Sequence, residues 1–355
     1  MRSVLEQVYD LGHEQVTYFR DARTGLFAIV AVHDTTLGPA LGGCRMRRYR
    51  SLDAALYDAL RLSEAMTYKN SLAGLNLGGG KAVIFADGKM TEGREALLRS
   101  FGRSVHSLGG KYVTAEDMGT SVADMGIMLQ ETPFVSGRDP KTGGGGDPSP
   151  YTAIGMFGGI RACLERYFGD GTIQGKHFAI QGVGHVGSRI ARLLAEAGAK
   201  LTIADTSEDH LRSVCSEVTA TAISAHHLLQ TECDVLVPCA IGGVINPETV
   251  PALRCKIIAG AANNQLEGEG TEAALTARGI MYAPDFAINA GGVILCADEL
   301  EEGGFTPKRV DERVSRIYHT VGRILDEAKR TGELTGTIAV RLAKERIAEA
   351  RSKKK

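Results

Sequence analysis

The sequence predicts an α/β protein of two domains, the second built on a doubly wound parallel sheet. Three observations carry this. Strand-like and helix-like segments alternate along almost all of the 355 residues. The densest Gly/Pro stretch, "RDPKTGGGGDPSP" at 138–150, cannot build a core and reads as a connection between domains. Beyond it a regular β-α series begins, and its first apolar strand runs into a glycine-rich turn that opens a helix.

The elements follow in order. "LFAIVAVHD" (26–34) is rich in β-branched and aromatic residues and reads as a strand. "SLDAALYDALRLSEAMTYKN" sets Leu52, Leu56, Ala59, Leu60 and Ser63 on one helical face behind a Ser51 cap. "KAVIFAD" (81–87) is the next strand, "REALLRSFGRSVHSL" an amphipathic helix, and "KYVTAED" a short strand. After the connection, "HFAIQGVGHVG", "KLTIAD", "CDVLVPCA", "KIIAGAANN" and "GIMYAPD" each read as a strand ending in a polar or glycine-rich loop. Helical segments between them imply a parallel sheet with ligands at the strand C-termini. Charged amphipathic helices fill 308–350.

Composition excludes several classes. With 42 acidic against 41 basic residues, no global field points to nucleic acid or to a membrane surface, so neither is expected as a partner. "MRSVLEQVYDLGHEQ" has no apolar core of a signal peptide, no apolar run approaches a membrane span, and the "RSKKK" end reads as a solvated tail. Seven cysteines without a C-x-x-C pair fit reduced thiols in a cytoplasmic protein. The nine histidines show no H-E-x-x-H spacing, so no metal site is expected.

The first chemical motif is Gly182-Val183-Gly184-His185-Val186-Gly187, which follows "FAIQ" and opens "SRIARLLAEAG". Such a pattern alone also occurs in ordinary glycine turns, but here a second strand, "LTIA", ends in Asp205. A pyrophosphate would lie over the helix N-terminus, and the Asp205 carboxylate would accept the ribose hydroxyls. The same charge repels a 2′-phosphate, so NAD is expected rather than NADP.

The second is "NLGGGKAVIF" (76–85), three glycines standing before Lys81. It is no P-loop, because no Ser or Thr follows Lys81 and a strand follows where a helix should. Two readings remain: a tight turn with an exposed lysine, or bare backbone that brings a lysine at a strand start close to a small ligand. Lys69 ends the helix twelve residues earlier, so both ammonium groups could face one cleft. Two neighbouring cations favour loss of a proton from one of them, which makes a lysine a base near neutral pH. Asp117, just after "KYVTAE", supplies a carboxylate in the same domain.

"TYKN…LNLGGGKAVI", "TAEDMG", "GGGGDPSPYTAIG", "PCAIGGVIN", "AGAANNQL" and "YAPDFAINAGGVI" resemble, in order, the motifs of the glutamate/leucine/phenylalanine/valine dehydrogenase superfamily, nearest its leucine dehydrogenase branch. The resemblance runs from "HDTTLGPALGGCRM" to the C-terminal helices. It implies reversible oxidative deamination of an L-amino acid to a 2-oxo acid and ammonium, with NAD as cofactor. Lys69 would bind the substrate carboxylate, Lys81 would activate the attacking water, and Asp117 would shuttle protons at the amino group. The glycines before Lys81 would clear space for the substrate. Leu41, Gly42, Gly43, Ala115, Asn289, Val293 and Cys296 would line the substrate site. Thr152 and Asn263 would hold the nicotinamide side of the cofactor, edged by Cys239, Ala240 and Ala261.

Leu41 and Cys296 stand where glutamate dehydrogenases present a lysine and a serine to the distal carboxylate, which implies a branched aliphatic substrate, leucine first. Phenylalanine, valine or tryptophan dehydrogenase is the alternative within the superfamily, and a non-catalytic NAD-binding sensor the alternative outside it. The implied organisation is a substrate and oligomerisation domain at 1–137, joined by 331–355, and a dinucleotide domain at 138–330, in a homo-oligomer of two or eight chains.

Overall fold

The computed structural model describes residues 4–354, so the outermost ends of the two terminal segments read above lie outside the described residues. The chain divides into two compact units. One holds the chain up to Asp147, Val293–Arg309 and everything from Ala343; the other holds Pro148–Gly292 and Val310–Leu342. The break thus falls ten residues later than 137/138, and the return to the first unit begins at Ala343, not 331. Glu299 accounts for much of this. Its buried carboxylate accepts the N–H groups of Gly137 (2.8 Å), Arg138 (3.1 Å) and Gly145 (2.7 Å) and the Ser136 hydroxyl (3.1 Å). Charge-assisted bonds in that number fasten the Gly/Pro segment to Val293–Arg309 within the first unit. Residues 331–342 remain in the second unit, where the Glu272 carboxylate accepts from the Thr335 hydroxyl (2.7 Å) and the Gly336 N–H (2.9 Å) at the start of the last helix.

In the first unit β1 (Gln15–Asp21), β2 (Leu26–Asp34), β3 (Ala40–Arg47), β4 (Gly78–Phe85) and β5 (Tyr112–Glu116) form a mixed sheet in the order β1-β2-β4-β3-β5. The helix Leu52–Leu72 begins at the Ser51 cap, whose hydroxyl accepts the Ala54 N–H. It buries Ala55, Leu56, Ala59 and Leu60 against Ile29, Ala31 and Val83. The opposite sheet face packs Tyr112, Cys44 and Ile84 against Leu98 and Phe101 of the helix Arg94–His106. Neither β1 nor β3 carries a strand expectation: β3, "ALGGCRMR", contains no β-branched residue.

The glycines before Lys81 are neither a turn nor open space. Gly78, Gly79 and Gly80 are the first three residues of β4. A Cβ on Gly79 would stand 2.1 Å from the Thr67 backbone nitrogen and 2.5 Å from Ser63 O, both on the overlying helix. On Gly80 it would meet the Tyr112 ring at 2.6 Å on the other face, and on Gly78 it would meet Asp34 O at 2.0 Å. The bare strand therefore admits a helix and an aromatic ring at close range, and the space is filled by protein rather than left for substrate.

The second unit is as the sequence predicts, a doubly wound sheet. β6 (His177–Gln181), β7 (Lys200–Ala204), β8 (Thr221–Ala222), β9 (Cys233–Pro238), β10 (Cys255–Ile258) and β11 (Met281–Tyr282) are all parallel, in the order β11-β10-β9-β6-β7-β8. Strand order reverses between β6 and β9, and their C-terminal ends flank the switch point where ligands bind in such sheets. Among the described residues no helix is long and apolar enough to cross a membrane.

Gly79→Ala should lower stability by at least about 2 kcal/mol, because a backbone nitrogen cannot give way. Gly126→Ala, in a helix with nothing within 4 Å of the new methyl, should be neutral or gain up to about 1 kcal/mol; denaturant midpoints compare the two. Beside the helix Leu52–Leu72, His13 Nε2 lies 2.8 Å from Ser63 Oγ, and His33 Nδ1 lies 2.8 Å from Thr67 Oγ1. Burial, reinforced by His33, lowers His13 from 6.5 to about 4, and burial lowers His33 too. Below pH 6.5 the unfolded chain therefore binds more protons than the folded one. The stability is fully present above 6.5 and is lost as pH falls towards about 4, and His13→Phe should flatten the fall in Tm over that window.

Candidate active site

Lys81 is the fourth residue of β4, paired with Ala31 of β2, and only 4% exposed. It is thus central in the sheet rather than at its edge. A buried ammonium needs a counter-charge, and its Nζ donates to Oδ2 of Asp117. Asp117 follows β5 directly, in a turn closed by its N–H to Thr120 Oγ1 (2.9 Å) and the Thr120 N–H to its carbonyl (2.9 Å). Gly43 of β3 makes the approach possible: a Cβ there would come within 2.9 Å of Asp117 Cβ and 3.2 Å of Oδ2.

Asp117 Oδ1 accepts from Arg45 Nε (3.0 Å) and from the Met118 N–H (2.6 Å). Arg45 in turn reaches Asp58 Oδ2 on the overlying helix (2.9 Å), which also accepts the Tyr49 hydroxyl (2.9 Å), while Arg61 lies 3.3 Å from Oδ1. Lys81, Asp117, Arg45 and Asp58 form a row of alternating charge. Burial pushes the Asp117 carboxyl up, but Lys81, Arg45 and the Met118 N–H together outweigh it and hold it well below the usual carboxylate range. Sequence reasoning missed Arg45 and Asp58. The available signal was an arginine inside a strand otherwise made of small and apolar residues, "ALGGCRM", which requires a partner.

Lys69 occupies the last turn of the helix Leu52–Leu72, half-buried. That helix end is stitched to β4 by Asn70 Nδ2, which donates to Gly78 O (2.6 Å). Both lysines therefore ride on directly connected elements. Leu41 is fully buried on β3 beside Val113, and Ala115 pairs with Gly43. Gly42 accepts the Tyr112 hydroxyl at its carbonyl (2.6 Å), and a Cβ on it would collide with Gly80 O. Val293 and Cys296 lie on the helix Gly291–Asp298, where Cys296 O accepts the Ser136 hydroxyl (2.7 Å). Burial, with Glu299 nearby, pushes the Cys296 thiol up to about 12, so it stays a neutral, apolar group.

The second unit gathers the remaining candidates. Gly182 has φ +86°, and a Cβ on Gly187 would lie 1.9 Å from Gly182 O, so the helix His185–Glu196 can start this close to β6 only on glycine. Gly184 has open space around it, while His185 and Val186 open that helix. Asp205, at the end of β7, accepts the N–H groups of Val183 and Ser207, each at 2.8 Å. Burial raises it, yet these donors and His210 keep it below the usual range, ionised beside the turn. Across the switch point the Cys239 N–H donates to Gln181 O (2.7 Å), and Ala240 faces Gly182. Asn289, 5% exposed, donates to Ala261 O (3.0 Å) and Asn263 Oδ1 (2.9 Å), which leaves its own Oδ1 without a partner. Thr152 stands against Gly292, two residues after Ala290. A turn closed to a Cβ at Gly182 and Gly187, an ionised acid beside it and an orphaned buried acceptor fit a dinucleotide with an amide-bearing head.

A dinucleotide-type turn at the switch point of one unit, with a buried lysine–carboxylate pair in the other, marks an amino-acid dehydrogenase. The chain belongs to the Glu/Leu/Phe/Val dehydrogenase family: the dimerisation domain of that family matches residues 13–134, and its Glutamate/Leucine/Phenylalanine/Valine dehydrogenase domain matches residues 203–354. It is 47% identical to leucine dehydrogenase of Geobacillus stearothermophilus over 341 residues, covering 96% of this chain and 92% of that protein. It is 45% identical to valine dehydrogenase of Streptomyces coelicolor over 343 residues, 96% of this chain and 93% of that one. Among solved structures, L-tryptophan dehydrogenase from Nostoc punctiforme superposes with a TM-score of 0.85 at 39% identity, over 98% of this chain and 99% of that chain.

Proposed function

We propose that the protein catalyses the reversible NAD-dependent oxidative deamination of a branched-chain L-amino acid, leucine first, with valine and isoleucine close behind, to the 2-oxo acid and ammonium. The observation that carries this reading is the buried Lys81–Asp117 pair. A sensor that merely kept the fold would have no use for it.

NAD, when bound, takes the hydride from the substrate α-carbon. The rest falls to the chain's own residues. Gly182, Gly184, His185, Val186 and Gly187 receive the pyrophosphate, and Asp205 receives the adenosine ribose. Asn289 Oδ1, which has no partner, accepts a carboxamide N–H, while Thr152 and Asn263 hold the nicotinamide side, edged by Cys239, Ala240 and Ala261. Lys69 pairs with the substrate carboxylate. Asp117 takes a proton from the substrate ammonium, and Lys81 Nζ takes one from the water that attacks the iminium carbon. Leu41, Ala115, Val293 and Cys296 would give the substrate side chain an apolar lining, so a glutamate γ-carboxylate would be buried without a partner, costing several kcal/mol. Of the two units, the first would bind substrate and assemble the homo-oligomer, a dimer or octamer, and the second would bind the cofactor. The free cysteines support a reducing, cytoplasmic setting. A second reading, an aromatic substrate, rests on Cys296, which is slimmer than the valine usual in leucine dehydrogenases and deepens the pocket.

A panel of amino acids with NAD, followed by NADH absorbance, tests the substrate: kcat/KM should be highest for leucine, with aliphatic neighbours within about 10- to 200-fold. Glutamate above leucine would overturn the pocket argument, and phenylalanine or tryptophan above leucine would establish the second reading. Lys81→Ala should leave NADH binding near normal and lower turnover about a hundredfold or more, whereas Lys69→Ala should mainly raise KM. Asp205→Ser should weaken NAD and ease NADP; an unmutated enzyme that prefers NADP contradicts that role.

A further inference from the structure

We propose that Arg45 is the positioning residue that keeps Asp117 a carboxylate while Lys81 gives up its proton. The inference rests on the function proposed above. A lysine that serves as a base spends part of each cycle as a neutral amine. At that moment Asp117, whose side chain is only 18% exposed, loses the cation on its Oδ2, and a poorly solvated, uncompensated carboxylate takes up a proton. The proton leaving Lys81 would then stop on Asp117, and neither group would be free to serve the substrate.

Arg45 removes this trap. Guanidinium does not titrate in a protein, and Nε stays on Oδ1 (3.0 Å), the oxygen that Lys81 does not use. The Met118 N–H shares that oxygen at 2.6 Å. Arg45 is fixed from the helix side by Asp58 (2.9 Å), itself held by the Tyr49 hydroxyl and Arg61. The other groups facing Asp117 cannot take its place. From β3 comes Cys44, whose thiol burial pushes far up; from β5 come Tyr112, likewise raised by burial, and Glu116, raised by burial and by Asp147, Asp117 and Glu299. The Arg94–Asp124 pair beyond Cys44 is closed on itself at 2.7 Å. Lys81 and Arg45 both hydrogen-bond to the Asp117 carboxylate, and of these two Arg45 alone keeps its charge throughout.

The pH profile of kcat/KM for the best amino acid separates this role from a structural one. Arg45→Met should move the acidic limb to higher pH by about one unit or more and lower kcat far more than it alters KM, with much of the loss recovered at raised pH. Arg45→Lys, which keeps a charge, should hold the limb near its wild-type position. Asp58→Asn leaves Arg45 acting on Asp117 alone and should move the limb the opposite way, to lower pH. A uniform loss in Arg45→Met with an unmoved limb overturns the proposal, and so does a shift of Asp58→Asn in the same direction as Arg45→Met. If Arg45→Met does not fold, the direction in Asp58→Asn decides alone. Should the wild type form no NADH with any amino acid, the functional reading fails instead. The titration of 13C-labelled aspartate carboxyls in wild type and Asp58→Asn then still reports, without turnover, whether the Asp117 resonance moves to lower pH, as the proposal requires, or does not, which overturns it.

Discussion

A lysine ammonium buried in the middle of a β-sheet is the constraint on which the first unit depends. Removing such a charge from water costs several kcal/mol unless a partner meets it at once, and Asp117 can meet Lys81 only across the missing side chain of Gly43. The carboxylate then requires a second donor, which brings Arg45, and Arg45 requires an anion, which brings Asp58 from the covering helix. The helix can supply Asp58 only if it lies close, and it lies close because Gly79 has no Cβ. One buried charge thus dictates two glycines, three further charges and the depth of a helix.

The second unit obeys a different constraint, topological rather than electrostatic. A sheet whose strand order reverses between β6 and β9 leaves a crevice at their C-terminal ends. Gly182 and Gly187 let the next helix begin inside that crevice, and Asp205 closes its rim. No charge row is needed there, because backbone N–H groups and a helix terminus supply what an anionic ligand requires.

This difference explains what could be read from the amino-acid sequence. The five main strands of the second unit, from "HFAIQ" to "GIMY", were legible because each is a compact apolar run ending in a glycine or polar loop. Ser51 announced its helix through ordinary cap chemistry. β3 was hidden, since close approach to β4 and to Asp117 demanded Gly42 and Gly43 where strand-forming residues would normally stand. The same cause misled the reading of "GGGK": glycine usually signals a turn, and here it signals contact on both faces of a strand. Lys81 and Asp117 were recognisable from their motifs, whereas Arg45 and Asp58 were not, because their meaning lies in whom they touch rather than in their spacing.

The Glu299 clasp has a bearing on how such an enzyme changes its diet. The helix that carries Val293 and Cys296 is tied to the Gly/Pro segment at two points, the Glu299 carboxylate on three backbone N–H groups and the Ser136 hydroxyl on Cys296 O. Side chains on that helix can be exchanged singly, since the ties use backbone atoms and Glu299 alone. The helix as a whole cannot be transplanted between relatives without the 136–145 segment that grips it. Given the proposed pocket, selectivity in this scaffold would be inherited as a cassette of two distant stretches of chain, separate from the charge row of Lys81, Asp117, Arg45 and Asp58.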